Sequence, residues 1–160
     1  GASTMIPALV DDGYSGIVAV DIAVAALERL RDGLGTRADQ VAFMASDVRE
    51  VTIGAPVDVW HDRATFHFLT DFSDQSRYVA RAATSVRPGG SLILATFAPD
   101  GPEQCSGLPV ARWSWSELAV RFAPWFDPSD HLSRIHTTPW GAEQSFTHLL
   151  MTRSDADTPA

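Results

Sequence analysis

Residues 58 to 70, DVWHDRATFHFLT, crowd His61, Asp62, Arg63 and His67 at the end of a short apolar stretch. An imidazole that titrates near neutrality beside a carboxylate can take up a proton, and a guanidinium next to them can hold an anion. Two further acids, Asp21 and Asp47, each close a short apolar run, in GIVAVDI and VAFMASD. A carboxylate at a strand end can accept two hydrogen bonds from the vicinal hydroxyls of a ribose, or it can cap the helix that follows. Both readings stand for Asp21. A second acid one strand further on suits a nucleoside, with ribose hydroxyls at one end and an exocyclic amine at the other.

These groups need elements to position them. GIVAVDI (16–22), VAFMASD (41–47) and VDVWHD (57–62) are β-branched, apolar runs that end in an acid, the pattern of strands buried in a parallel sheet. Between the first two, AVAALERLRDGLG places Ala26, Leu27, Leu30 and Leu34 at helical spacing with Gly35 as a stop. SDQSRYVARAATSV predicts another helix, with Ser73 as its cap and Tyr78, Val79, Ala82 and Val86 on one side, broken by RPGG. SLILATF (91–97) predicts a fourth strand. A Pro- and Gly-rich loop from 98 to 112 leads to a helix near SWSELAVRFAP. DHLSRIHTT and QSFTHLLMTR, joined at PWGAEQ, predict a hairpin. MIPALVDDGY carries Ile6, Leu9 and Val10 on one helical face, which puts Gly1 at the turn into a helix. A glycine there lets a ligand approach the backbone near unpaired N–H groups.

Alternating strands and helices closed by a hairpin give an α/β layer fold with a mostly parallel sheet flanked by helices. In such sheets ligands sit beyond the carboxyl ends of the strands, and Asp21, Asp47 and the cluster at 61–63 all fall there. One domain over 1–153 is expected, with 154–160 as a flexible tail. The formal charge of −8 repels a nucleic-acid backbone, so no nucleic-acid partner is expected. Arg29, Arg31, Arg77, Arg81 and Arg87 read as solvated helix faces. The lone Cys105 excludes an internal disulfide and a cysteine-clustered zinc site. No run reaches the roughly 18 apolar residues of a membrane span, and a soluble, cytoplasmic protein is expected. Oligomeric state is not legible.

The succession GAST, GIVAVDI, ASDV, DVWHDRATFHFL and RPGGSLILATF resembles the class I S-adenosylmethionine-dependent methyltransferases, which have a Rossmann-like fold. FAPDGPEQCSGLPVARWSWSEL and TPWGAEQSFTHLLMTR look like a bacterial group within that class that acts on small molecules or is uncharacterised. The resemblance implies S-adenosylmethionine as cofactor, S-adenosylhomocysteine as product and a small-molecule acceptor. It implies that Gly1 and Ala2 end the glycine-rich loop under the methionine part, that Asp21 with Ile22 takes the ribose, that Asp47 and Val48 flank the adenine, and that His61 lies beside the methyl group. The family's first strand is absent before Gly1, so the chain is expected to be part of a longer protein.

Methyl transfer asks the protein to align a nucleophile and, where it carries a proton, to remove it. His61 or Asp62 is the candidate base. The structural alternative is that His61 lines the cofactor while Asp62 pairs with Arg63 to fix the loop. Arg63, Cys105, Arg112 and Trp140 are the candidate substrate contacts: Cys105 as a pocket wall, Arg112 with His136 for a carboxylate, and Trp140 with Trp113, Trp115 and Trp125 as an aromatic wall or as packing. His67, among Phe66, Phe68 and Leu69, reads as a hydrogen-bonded core histidine. Competing functions are a catalytically inactive S-adenosylmethionine-binding module, a protein-lysine methyltransferase, and a nicotinamide-dependent oxidoreductase that leaves Asp47 and the hairpin unexplained.

Overall fold

The computed structural model describes residues 4–123 and 125–155. The chain divides into two compact units, 1–51 and 52–160. In the first unit, α1 (Met5–Asp11), β1 (Ile17–Asp21), α2 (Val24–Leu34), a 3-10 turn (Gly35–Gln40) and β2 (Val41–Ala45) follow one another. β1 and β2 pair in parallel, from Ile17 opposite Val41 to Asp21 opposite Ala45. The helix-forming residues of α2 turn Leu27 and Leu34 inward, onto Val10, Ala19 and Val41. Each such leucine contributes about 1.5–3 kcal/mol by leaving water. Leu30 and Ile6 complete that core from its margin, and Gly35 ends α2 at φ 56°, a conformation that costs glycine least.

The second unit holds β3 (Val57–Arg63), α3 (Phe72–Ser85), β4 (Val86–Phe97), the short strands β5 (Gln104–Cys105) and β6 (Leu108–Pro109), α4 (Trp115–Phe122), β7 (Phe126–Thr137) and β8 (Glu143–Arg153). Its main sheet runs β3-β4-β8-β7. β3 and β4 are parallel, and β8 is antiparallel to both β4 and β7. The fold is thus α/β and Rossmann-like with a closing hairpin, and its sheet is mixed because that hairpin supplies half of the strands.

The two faces of this sheet differ. Trp60, Asp62, Leu92, Leu94, Leu149 and Met151 point to one face and are buried with Tyr78 of α3 and Leu118 and Phe122 of α4. The alternate residues His61, Arg63 and Leu150 are exposed on the other face, with Ile93 and His148 half-buried there. A strand period of two makes this division automatic once one face meets the helices.

Three local expectations change. RPGG does not separate α3 from its strand: β4 already begins at Val86, and the register jumps from Val57 opposite Val86 to Val59 opposite Ser91, so the glycines form an irregularity inside the strand. Arg87 accordingly lies on a strand, ion-paired with Asp58, and not on a helix face. The cap of α3 is Asp71, whose carboxylate accepts the Ser73 N–H at 2.7 Å, so Ser73 lies within the first turn. The cap of α4 is a reciprocal pair in which Ser114 and Glu117 each accept the other's backbone N–H.

Candidate functional site

In the first unit the carboxyl ends of the parallel strands carry the two acids. Asp21 Oδ1 accepts the Ala23 N–H at 2.8 Å, capping the start of α2, which has no side-chain cap of its own at Ala23. Burial pushes its carboxyl up, but hydrogen bonding and positive charge, Arg29 included, outweigh this and hold it below the usual carboxylate range. It is therefore an ionised acceptor at neutral pH. Ile22 follows with 74% of its surface exposed, an apolar side chain beside a charge. Asp47 meets Arg49: Oδ1 accepts the Arg49 backbone N–H at 2.8 Å and its Nε at 2.9 Å, and Oδ2 accepts the other arm of the guanidinium. Val48 is half-buried in the turn between them. Gly1 and Ala2 lie outside the described residues.

In the second unit, β3 sends its end residues to opposite faces. Asp62, 5% exposed, accepts the Thr65 and Phe66 N–H groups at 2.9 and 3.1 Å and the Tyr78 hydroxyl at 2.5 Å, while Tyr78 accepts the Trp60 Nε1–H at 3.0 Å. Burial raises its pKa, and these donors lower it only in part. Burial and the Asp62 charge push the Tyr78 phenol well above its ordinary value, so Tyr78 remains the donor. The carboxylate pins a turn in which Ala64 adopts φ 65° and donates its N–H to Ala95. Asp62 fixes the loop, then, but through Tyr78 and two backbone amides; no ion pair joins it to Arg63 among the described residues. His61 points the other way. Desolvation lowers its pKa, Asp62 opposes this, and Arg63 adds to the lowering, so the ring is neutral and able to accept a proton at pH 7.

On that outer face Arg63 stands over the Phe146 ring at 5.7 Å. His136 and His148 contact the same ring at 6.3 and 6.1 Å. Phe146 packs with Ala95 and Phe97, and Cys105 borders that cluster. The fold therefore brings Arg63 and His136 to one phenylalanine, and Cys105 to the cluster that holds it. Arg134, Phe146 and His148 were missed from the sequence, although the spacing R-x-H and F-x-H in two strand-like runs carried the signal.

The remaining candidates lie elsewhere. Arg112 donates to the Gly101 carbonyl and to Glu103 at 3.2 and 3.1 Å, which holds the loop after β4. Trp140 is 79% exposed in the hairpin turn. Trp113 packs on Phe66, Trp115 stacks on His131 at 4.3 Å, and Arg153 lies over Trp125 at 5.0 Å, so these three tryptophans serve packing. His67 is fully buried as expected, but neither ring nitrogen has a hydrogen-bond partner, contrary to the expected bonded state. Its neighbours are the rings of Phe68 and Phe97, which offer no acceptor.

A family model described as a methyltransferase domain matches residues 1–94. Among solved structures, the chain is similar to 1,6-didemethyltoxoflavin-N1-methyltransferase of Burkholderia thailandensis, solved with 1,6-didemethyltoxoflavin and S-adenosylhomocysteine bound. The TM-score is 0.74 and the identity 23%, covering 97% of this chain and 68% of that one. A SAM-dependent methyltransferase of Methanosarcina mazei gives a TM-score of 0.73 at 14% identity, over 92% of this chain and 85% of that one. The N-methyltransferase NodS of Bradyrhizobium japonicum gives 0.70 at 10% identity, over 86% and 73%. At these identities the likeness is one of fold. No curated protein matches the chain.

Proposed function

Because the chain belongs to the family of methyltransferase domains, we propose that it transfers a methyl group from S-adenosylmethionine to a small-molecule acceptor. When bound, the donor supplies an electrophilic sulfonium methyl and leaves as the neutral thioether S-adenosylhomocysteine. The residues of the first unit fit its nucleoside. Asp21, ionised and at the end of β1, accepts the ribose hydroxyls, and Ile22 offers its exposed side chain to the flat base. Asp47 keeps the Arg49 guanidinium and faces the exocyclic amine as a shared acceptor, with Val48 alongside.

In the second unit His61 accepts the acceptor's proton, since its lowered pKa leaves the imidazole unprotonated at neutral pH. Asp62 acts through the backbone: by holding the Thr65 and Phe66 amides it sets the turn that follows His61. Arg63 and Cys105 border the aromatic cluster where an acceptor would rest.

The observation that carries this reading is the ionised Asp21 at a parallel strand end, followed at once by the exposed Ile22. Calorimetric titration with S-adenosylmethionine, followed by labelled-methyl transfer to a metabolite panel, tests it. Saturable donor binding that Asp21→Ala weakens is the expected result. Binding indifferent to that substitution would remove the reading's basis.

A further inference from the structure

His61, Arg63, Arg134 and His148 share the outer face of the four-stranded sheet. Arg63 pairs across to Ala95, and Ala95 to His148; in the next row Phe97 pairs with Phe146, and Phe146 with Arg134. The small side chain of Ala95 leaves the space through which Arg63 reaches the Phe146 ring. We propose that this face binds a small flat oxyanion, an aromatic carboxylate, which on the methyltransferase reading is the methyl acceptor.

The two arginines of this face differ from five others of the chain. Arg37, Arg49, Arg77, Arg87 and Arg112 each sit in an ion pair with an aspartate or glutamate. Arg63 and Arg134 have no carboxylate partner among the described residues. Asp62 points into the opposite face, bonded to Tyr78. Asp130 pairs across to Leu150 and accepts the N–H of its own neighbour His131. The positive charges of Arg63 and Arg134 reach His148, whose pKa burial lowers first and these charges, with that of His61 when it is protonated, lower further. In a chain of formal charge −8, two arginines without an ion-pair partner among the described residues, with Asp130 on the same face but further along the strand, opposite Leu150, mark a place that attracts an anion.

The geometry also fixes the kind of anion. A guanidinium presents its donors in a plane that matches a carboxylate, and the exposed side chains of Leu132 and Leu150 on the same face offer an apolar surface to the body of the ligand. A metal cation is the wrong charge for this face, and no group of three His, Cys, Asp or Glu among the described residues is placed to hold one.

Benzoate and its neutral counterpart benzamide are the probes, followed through the ring signals of His148 by NMR on the full chain. Benzoate should shift these signals saturably and bind about tenfold more tightly than benzamide, the scale of one charge-assisted hydrogen bond. Arg63→Gln and Arg134→Gln should each weaken benzoate by about the same factor, with partial recovery in Arg63→Lys. Arg29→Gln, in the other unit, should bind as the parent does. Both arginines are exposed, so melting curves are expected to confirm that the variants fold. Equal affinity for the two probes, or benzoate binding unchanged in both Gln variants, would overturn the proposal. A parallel titration with S-adenosylmethionine keeps the readings apart. Donor binding without benzoate binding defeats the oxyanion site alone, and benzoate binding without donor binding leaves that site standing while defeating the methyltransferase reading.

Discussion

The Tyr78 hydroxyl donates to Asp62 Oδ2 at 2.5 Å while accepting from Trp60 Nε1 at 3.0 Å, so one phenol joins α3 to the inner face of β3. Tyr78→Phe leaves Trp60 without that acceptor and takes the phenol donor away from Asp62. A loss of about 1–3 kcal/mol is expected, the cost of leaving buried polar groups unmatched. Urea unfolding measures it, with an unchanged slope showing that only the native state was touched.

His61 and Asp62 separate by their pH behaviour. As the base, His61 works when unprotonated, and its lowered pKa places the acid limb of the rate profile below the usual 6.5 of histidine. His61→Gln should reduce turnover by about 10²–10⁴-fold and remove that limb. Asp62→Asn should lower stability yet leave the limb present, because the carboxylate acts on the loop and not on the acceptor. A limb that survives His61→Gln would reassign the base.

Asp21 and Asp47 are expected to matter unequally for the donor. Asp21→Ala removes an ionised acceptor of ribose hydroxyls, and bonds to charged groups are worth about 1.5–3 kcal/mol, or roughly 10- to 100-fold in affinity. Asp47→Ala should weaken binding less, since its carboxylate already serves Arg49. Calorimetry on both variants ranks them, and the reverse order would contradict the assignment.

His67 should make the protein acid-sensitive. Burial pushes its pKa down to about 4, against 6.5 for an ordinary histidine. Above pH 6.5 the ring is neutral folded or unfolded. As the pH falls from there toward 4 the unfolded chain gains a proton that the folded chain refuses, so stability drops by up to about 1.4 kcal/mol per pH unit. His67→Phe, which also removes two unbonded nitrogens among aromatic rings, should flatten this slope. Thermal melts at a series of pH values read the difference.

Gly90 fills a space that admits no side chain: a Cβ there would lie 2.8 Å from Val86 Cγ1 and 2.9 Å from the carbonyl oxygens of Arg87 and Asp58. Gly90→Ala should cost about 1–3 kcal/mol through overpacking at the β4 irregularity. Gly54→Ala meets nothing within 4 Å and should stay within about 0.5 kcal/mol of the parent.

Much of the fold was legible because it is written in local periodicity. The apolar runs ending at Asp21 and Asp62, the helical face of Ala26, Leu27 and Leu34, and the hairpin around PWGAEQ all appear where the pattern places them. RPGG was misread because glycine and proline signal a break in the same way whether the chain turns or a strand bulges, and only the pairing with β3 distinguishes the two. Ser73 and Asp71 are both good caps, and the choice between them depends on where the 3-10 turn Phe66–Phe68 lets α3 begin.

The order of elements, the acids at the strand tips and the alternation that sends His61 and Asp62 to opposite sides of β3 are set locally, since they follow from backbone geometry over a few residues. Which side the helices cover is fixed by packing between segments distant in the chain. That choice turned Asp62 into a buried anchor beneath Tyr78 and left His61 on the open face with Arg63. It also brought Arg134 and His148 to Phe146 from strands far along the chain, because hydrogen-bond register between distant segments is a property of their packing and not of either segment alone.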